Sequence, residues 1–419
     1  MKTMPRDKRF DSTFQLLSSP YDYIGQRCTE LGTDVFRARI MLQPTVCMSG
    51  VDAARLFYDS QRFRRQGAAP EPLRATLFGE AAVQGLDGAA HRRRKSLFLE
   101  ILKPDRVAML AAETRAQWEA ACSQWTPCDA VPLYEVAQEV LARAVLHWAG
   151  VTPAQRELAQ RTRELVSLFD DAARGISPHF RSRTARRSCE NWLHELITSV
   201  RNGQTEAAPG TALHIVAWHL DASNAVLHPR TAAVELLNVL RPVVAVSVYI
   251  VWCAHALHSH PASRDKLHAG DQNDLFRFLQ EVRRYYPFFP AVVARVRQNF
   301  EWKGLYFHKG QRALLDLYGT NHDPRTWSRP EQFNPERFRG LCPGRFELVP
   351  QGGGDAATHH RCPGEDAALA LMAVFMKFLV QCLSCDLVSQ DFRIDKKRLP
   401  ALPCSPLLLK LDKTRHAAP

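Results

Sequence analysis

The 419-residue sequence lacks an apolar segment at its start: Met1-Lys2-Thr3-Met4-Pro5 offers nothing like the apolar region of a secretory signal, so a cytoplasmic protein is expected. Its eleven cysteines are odd in number and scattered from Cys28 to Cys404 without framework spacing, which argues for reduced thiols and against a disulfide scaffold. No internal repeat, low-complexity tract or Gly/Pro-rich linker divides the chain, and a single domain over 1–419 is the simplest account. Also missing is a run of the roughly 20 apolar residues that a membrane span requires. The best candidate, Val243 to Leu257, is short and follows Arg241-Pro242, so it reads as a buried core helix with no transmembrane segment. The net charge of +12 is concentrated in His91-Arg92-Arg93-Arg94-Lys95. No zinc-finger spacing or aromatic-interleaved basic stripe accompanies that cluster, so nucleic acid is not an expected partner and a solvated helix face is.

What is present is mostly helix. Apolar residues recur at three- and four-residue intervals over 105–124, 131–149, 153–173, 183–201, 229–258 and 272–285. Strands are expected at 34–41 and 44–50, joined by a tight turn and followed by a helix in VDAARLFYD, and again in RVRQNFEW, LYFH and QRALLDL. The fold class is therefore mainly α with small antiparallel β-sheets, its β-rich subregion drawn from about 34–50 and 295–318. The Pro-rich stretch from Asp323 to Gly340 breaks periodicity and reads as an irregular loop.

Three features carry chemistry. Cys362 stands before Pro363-Gly364 and a helix beginning near Glu365, whose amide end and dipole face the sulfur and favour a thiolate. Such a thiolate serves as a nucleophile, a zinc ligand or an axial ligand of haem iron. The first needs a base, for which His359 and His360 are the near candidates. The second needs four ligands, and Cys382-x-x-Cys385, inside an apolar helix run, has no second pair. The third gains from Gly352-Gly353-Gly354, a backbone able to pass close to a flat macrocycle. Glu281 and Arg284 stand three apart on one helix face, with Arg337 in NPERF as a third charge. Arg241 is a charge in the middle of an apolar helix beside Pro242, which cannot close its backbone hydrogen bond. An internal carboxylate or a bound anion must meet it.

The order of Glu281-x-x-Arg284, Pro335-Glu336-Arg337-Phe338 and the Cys362 loop resembles the cytochrome P-450 superfamily. VQGLDGAAHRRRK, VELLNVLRPVVA, QEVRRYYPFFP, LDLYGTNHDP and PQGGGD…HRCPGE narrow the likeness to its bacterial hydrogen-peroxide-dependent fatty-acid peroxygenases. The resemblance implies the cytochrome P-450 fold, a triangular prism with haem b between a central distal helix and the proximal helix that follows the cysteine ligand. It makes Cys362 the axial thiolate. It assigns the haem propionates to cationic His91, Lys95, Arg295 and His360, with Arg65 beside them, although the superfamily more often has arginine where His360 stands.

On the distal side, oxygen-using members carry an acid followed by threonine; here Leu240-Arg241-Pro242-Val243 occupies that stretch. In the peroxygenases the matching arginine binds a fatty-acid carboxylate, which supplies the missing acid–base group and transfers a proton between the oxygens of hydrogen peroxide. The resemblance thus implies hydroxylation of long-chain fatty acids at the α or β carbon without a redox partner. Gln84 would orient the substrate, and Phe78, Phe169, Phe288 and Phe289 are candidate walls of the acyl channel or plain core aromatics. The competing readings are a decarboxylase forming terminal alkenes, an oxygen-dependent monooxygenase, and a haem lipid sensor without turnover.

Overall fold

The apolar periodicity becomes helix over Pro104–Cys122, Leu133–Trp148, Gln155–Asp170, Ile176–Arg201, Pro229–Ala245, Ser247–Ser259 and Gln272–Tyr285 in the computed structural model, which describes residues 3–126, 130–268, 270–382 and 385–411. The central helix starts at Pro229, whose missing N–H is harmless at a first helical position, and the His228 ring accepts from Arg230 N. Four other helices pack around it: Leu133–Trp148, Gln155–Asp170, Ile176–Arg201 and Ala212–Ala217. Leu236, Leu237, Leu240 and Val244 are fully enclosed there, each contributing about 1.5–3 kcal/mol of burial.

The single helix expected over 229–258 is in fact two, meeting at Val246. Pro242 has no N–H to return to the carbonyl four residues back, and just beyond it Val246 N bonds to Val243 O three residues back, at 3.1 Å. Among the described residues, Pro229–Ser259 is the one helical stretch long and apolar enough to cross a membrane, but 94% of its most apolar window is buried within the protein.

The two expected β-regions form one sheet. Its strand order is Val35–Ile40, Gln43–Met48, Arg312–Asp316, Ala291–Val296, Phe63–Arg64. Its pairings are antiparallel as expected, except that Gln43–Met48 runs parallel to Arg312–Asp316. RVRQNFEW is not one strand: Ala291–Val296 ends at Val296, and Phe300–Trp302 opens a separate hairpin with Leu305–Phe307. Ala130–Pro132, Leu408–Leu411 and Cys385–Val388 form a further sheet that periodicity did not reveal. Consequently Cys382 and Cys385 do not share a helix: the helical run ends at Cys382 and Cys385 opens a strand, while their side chains lie outside the described ones.

Glu281 and Arg284 lie on the last turns of Gln272–Tyr285 and are both fully buried. Arg284 grips Glu281 with two hydrogen bonds of 2.7 and 2.8 Å, while Arg337 Nε and Asn334 N donate to Glu281 Oε1 at 3.1 and 2.8 Å. The remaining guanidinium hydrogens reach loop carbonyls: Asn321 and Pro330 for Arg284, and Ser328 and Gln332 for Arg337. One carboxylate therefore organises the irregular loop 323–340 against the helix. Glu281→Ala leaves Arg284 buried without its counter-ion and is expected to cost about 3–5 kcal/mol in a urea titration. An unchanged unfolding midpoint would contradict this role.

Candidate functional site

Cys362 closes a loop whose polar groups converge on its sulfur. Its own N–H bonds to Gln351 O at 3.0 Å, Gly364 N approaches Sγ at 3.4 Å, and Gln351 Nε2 lies 3.8 Å from Sγ. Arg283 determines which end of that amide faces the sulfur. Its Nε and Nη2 donate to Gln351 Oε1 at 3.2 and 3.0 Å, and because a guanidinium only donates, Gln351 must turn its NH2 toward Cys362. Arg283 is in turn neutralised by Glu365 at 2.6 Å, which also receives two hydrogen bonds from Arg361. The expected thiolate does not form unaided. Burial pushes the free Cys362 thiol's pKa up, outweighing the Gly364 amide and the charges of Lys95 and Arg283, so the anion needs a directly bound cation. Gly352 and Gly354 have φ of 95° and 87°, and a Cβ would meet Tyr58 Oη at 2.8 Å or His359 Cγ at 2.7 Å. These glycines are thus required by contacts within the proximal loop, in addition to any approach to a macrocycle.

Beside this loop a cleft of about 250 Å³ is lined by Tyr58, Arg64, Arg65, His91, Arg92 and His360, among others. The His91 and His360 rings stack at 3.9 Å, Lys95 Nζ donates to Arg361 O at 2.5 Å, and the Arg65 guanidinium lies 4.2 Å from the Phe57 ring centre and donates to Val293 O. His91 Nε2 is buried without a partner. Burial, assisted by Lys95, holds the His91 pKa down to about 4, while burial and Arg65 hold His360 well below its ordinary value. Burial thus disfavours the charged form of both imidazoles, against the cationic partners that the resemblance implies. Lys95 is pushed down by burial to about 8 and retains its charge.

Arg295 does not join this group. Strand alternation places it with Arg312 on the sheet face opposite Ala294 and Val296, and its guanidinium donates to Gly67 O and Gly310 O at 2.6 and 3.0 Å.

Across the fold, Arg241 is 6% exposed, makes no hydrogen bond or salt bridge among the described residues, and keeps a buried Nε without a partner. Burial and then the charge of Arg186 push its pKa down to about 9, so it remains a cation at neutral pH. The internal carboxylate that might have met it is already engaged: Glu235 accepts from Arg94 at 2.6 Å, Val83 N at 2.8 Å and Asn238 Nδ2 at 3.2 Å. Asn238 Nδ2 also bonds to Phe78 O, as does Arg186 at 2.8 Å, so the segment 78–84 is pinned to the central helix just upstream of Arg241. Gln84, on the short turn Val83–Gly85, has its Oε1 buried and unpartnered.

The four phenylalanines differ. Phe169 lies within the core, Phe78 is half-buried against it, and Phe288 packs on Tyr249 with ring centres 4.5 Å apart. Phe289 is 36% exposed and touches Phe288 edge-on, so it stands at the outer end of this group. Sequence reasoning missed Arg94, Arg186, Glu235, Asn238, Gln351, Arg283 and Tyr249. Only Glu235 left a local signal, as an acid on an otherwise apolar helix.

A cysteine whose sulfur is met by amide donors, polar donors along one cleft and an unpartnered imidazole nitrogen suit haem. They do not suit zinc, since no three potential ligands cluster among the described residues. Once haem is bound, Gln351→Leu removes a donor from the thiolate, and the iron reduction potential should fall with the carbon monoxide stretch of the ferrous complex. Arg283→Met, which frees the amide to turn, should shift both the same way. Unchanged values in both variants would show that the amide does not act on the sulfur.

The Cytochrome P450 family profile matches residues 275–411. Among solved structures, Cytochrome P450SP alpha (CYP152B1) in complex with (R)-ibuprophen is 44% identical with a TM-score of 0.93, covering 96% of this chain and 98% of that one. Cytochrome P450EX alpha (CYP152N1) with myristic acid is 36% identical with a TM-score of 0.93, covering 98% and 99%. A variant of cytochrome P450 OleT in complex with arachidonic acid is 31% identical with a TM-score of 0.93, covering 98% of each chain. Among curated proteins, Cytochrome P450 84A4 of Arabidopsis thaliana is 32% identical over 111 residues, 25% of this chain and 21% of its own length. The 2-hydroxyisoflavanone synthase of Glycyrrhiza echinata is 30% identical over 128 residues, 28% of this chain and 24% of its own length. The chain thus matches only a fifth to a quarter of these curated relatives, but nearly all of the solved ones. It belongs to the cytochrome P450 superfamily, in the fatty-acid peroxygenase family that its motifs resemble, with haem as cofactor and Cys362 as the thiolate ligand of the iron.

Proposed function

We propose that this oxidoreductase hydroxylates long-chain fatty acids at the α or β carbon with hydrogen peroxide, needing no redox partner. The observation that carries the reading is Arg241: a charged guanidinium enclosed by apolar helices without a counter-ion among the described residues. An anionic head group completes it, and a carboxylate matches the two-pronged donor geometry. The acyl tail then has the apolar surroundings of Phe78, Phe169 and Phe288. Three solved relatives with TM-scores of 0.93 hold carboxylic acids, namely (R)-ibuprophen, myristic acid and arachidonic acid.

When bound, thiolate-ligated haem supplies the oxygen-transfer chemistry. The chain's own residues do the rest. Arg241 fixes the carboxylate, and Gln84, on the turn Val83–Gly85 that Glu235 holds through Val83 N, orients it by donating from its side-chain NH2. Glu235 is held by Arg94, Val83 N and Asn238 and cannot serve as a mobile acid, while Pro242 stands beside Arg241 where oxygen-using members carry the acid–threonine pair. The proton carrier in this reading is therefore the substrate carboxylate. Anchoring that group confines attack to the first carbons of the chain.

Purified holoprotein given hydrogen peroxide and a long-chain fatty acid, with no reductase, should release the 2- or 3-hydroxy acid. Absence of product would end the proposal. Arg241→Ala should lower kcat/KM by roughly 100-fold or more, the scale expected when an oriented acid–base group is lost. Retained activity at the same carbon would show that the anchor is misassigned.

A further inference from the structure

We infer that the protein docks on anionic lipid bilayers through an apolar patch built from its N-terminal segment and the tip of its first hairpin. The patch exposes Phe10 (74%), Phe14 (76%), Leu17, Met41 and Leu42 (69%). Hydrogen bonds lock its two parts together: Met41 N donates to Thr13 Oγ1 at 2.5 Å, Leu42 N to Asp11 Oδ2 at 2.8 Å, and Ser12 N to Arg39 O at 2.7 Å. On the short helix Thr13–Ser18, Phe14 and Leu17 share one face, while Leu16 packs into the core beneath the sheet.

The hairpin tip is the informative part. Ile40 pairs with Gln43, leaving Met41-Leu42 as a two-residue loop with φ of 53° and 59°. Such turns favour Asn-Gly, because left-handed backbone is unfavourable for side chains carrying a Cβ. Here two large apolar residues hold that conformation and point into solvent, against both backbone preference and the hydrophobic effect. Contiguous exposed apolar groups of this kind mark a surface with a partner.

Charge selects the partner. Arg6, Lys8 and Arg9 are exposed around the patch, Arg9 also pairing with Asp7 at 3.3 Å, and Arg39 lies 4.8 Å from the Phe10 ring centre. Of the two acids of the segment, Asp7 is buried, receiving Ser12 Oγ and Tyr23 Oη, and Asp11 is half-exposed with its oxygens taken by the Thr13 and Leu42 amides, so four basic side chains face two acids. A second copy of this chain would set one basic rim against another. An anionic bilayer accepts the apolar tip among its acyl chains and the rim among its head groups. Just beyond the docking helix, Tyr21 donates to Phe288 O at 2.8 Å and accepts from Ala401 N at 3.0 Å. The patch is thereby tied to a candidate acyl-channel wall. Delivery of fatty acid from the bilayer rests on the functional reading above; docking itself does not.

Holoprotein should co-sediment with phosphatidylcholine vesicles containing about one quarter phosphatidylglycerol, weakly with phosphatidylcholine alone, and less at about 0.5 M salt. The paired change Met41→Asn and Leu42→Gly suits the turn and should preserve thermal stability while lowering vesicle partitioning roughly tenfold or more. Phe14→Asp should do likewise. Failure of the wild type to bind anionic vesicles, or binding unaltered by the paired change, would overturn the inference. So would a concentration-dependent dimer that the same change abolishes, since the patch would then belong to a second copy. Turnover of dissolved fatty acid without vesicles should be the same in wild type and variant, and its absence in both would fault the functional reading alone.

Discussion

A guanidinium sealed among apolar helices without a counter-ion is the constraint around which this fold is arranged. The buried acid on the same helix, Glu235, is committed elsewhere. Arg94 occupies it, and Val83 N and Asn238 complete that carboxylate's hydrogen bonds. Arg186 adds a second positive charge from the neighbouring helix while it clamps the Phe78 carbonyl. The polar network thus does two things at once: it fixes the segment bearing Phe78 and Gln84, and it uses up the hydrogen bonding of the buried acid on the central helix.

The proximal side follows a comparable logic of enforced direction. An amide can present either end to a sulfur, and a donor is useful only if the correct end is held there. Arg283 accomplishes this because it has no acceptor to offer, and Glu365 keeps the added charge from being left uncompensated. Burial alone would keep Cys362 protonated, so the amides of Gly364 and Gln351 moderate an anion that the iron itself must stabilise. The two sides of the site are complementary in this sense: each holds a charged group that the protein does not neutralise by itself.

Those groups were legible in the sequence because each violates a local rule. A cysteine before Pro-Gly at a helix start and an arginine beside proline in an apolar run are anomalies within a few residues of themselves. Helix boundaries were similarly readable where periodicity was strong, and the break at Val246 was not, because local spacing does not register a changed hydrogen-bond ladder. The contacts of Arg295 were hidden for a different reason. Its guanidinium is taken by the Gly67 and Gly310 carbonyls, and those contacts follow from the pairing of the strand with Arg312 and Arg64, which leaves no local mark in the segment itself. The depressed pKa of His91 was equally invisible, since it follows chiefly from burial, which only the folded chain creates. Gln351 and Arg283 are common polar residues whose meaning exists only as a contact.

The unsatisfied Arg241 also explains why a fold would tolerate such a group. Desolvating a guanidinium is unfavourable, and that cost is met during folding by the surrounding packing of Leu236, Leu240 and Val244. A carboxylate arriving later loses its own hydration but meets a cation already stripped of water and held in place, in surroundings where their attraction is weakly screened. An internal Asp or Glu would have removed that gain, leaving a more stable protein with nothing for a ligand to complete. By this reasoning an orphaned charge of this kind favours an anionic head group as ligand, which is the role proposed for Arg241.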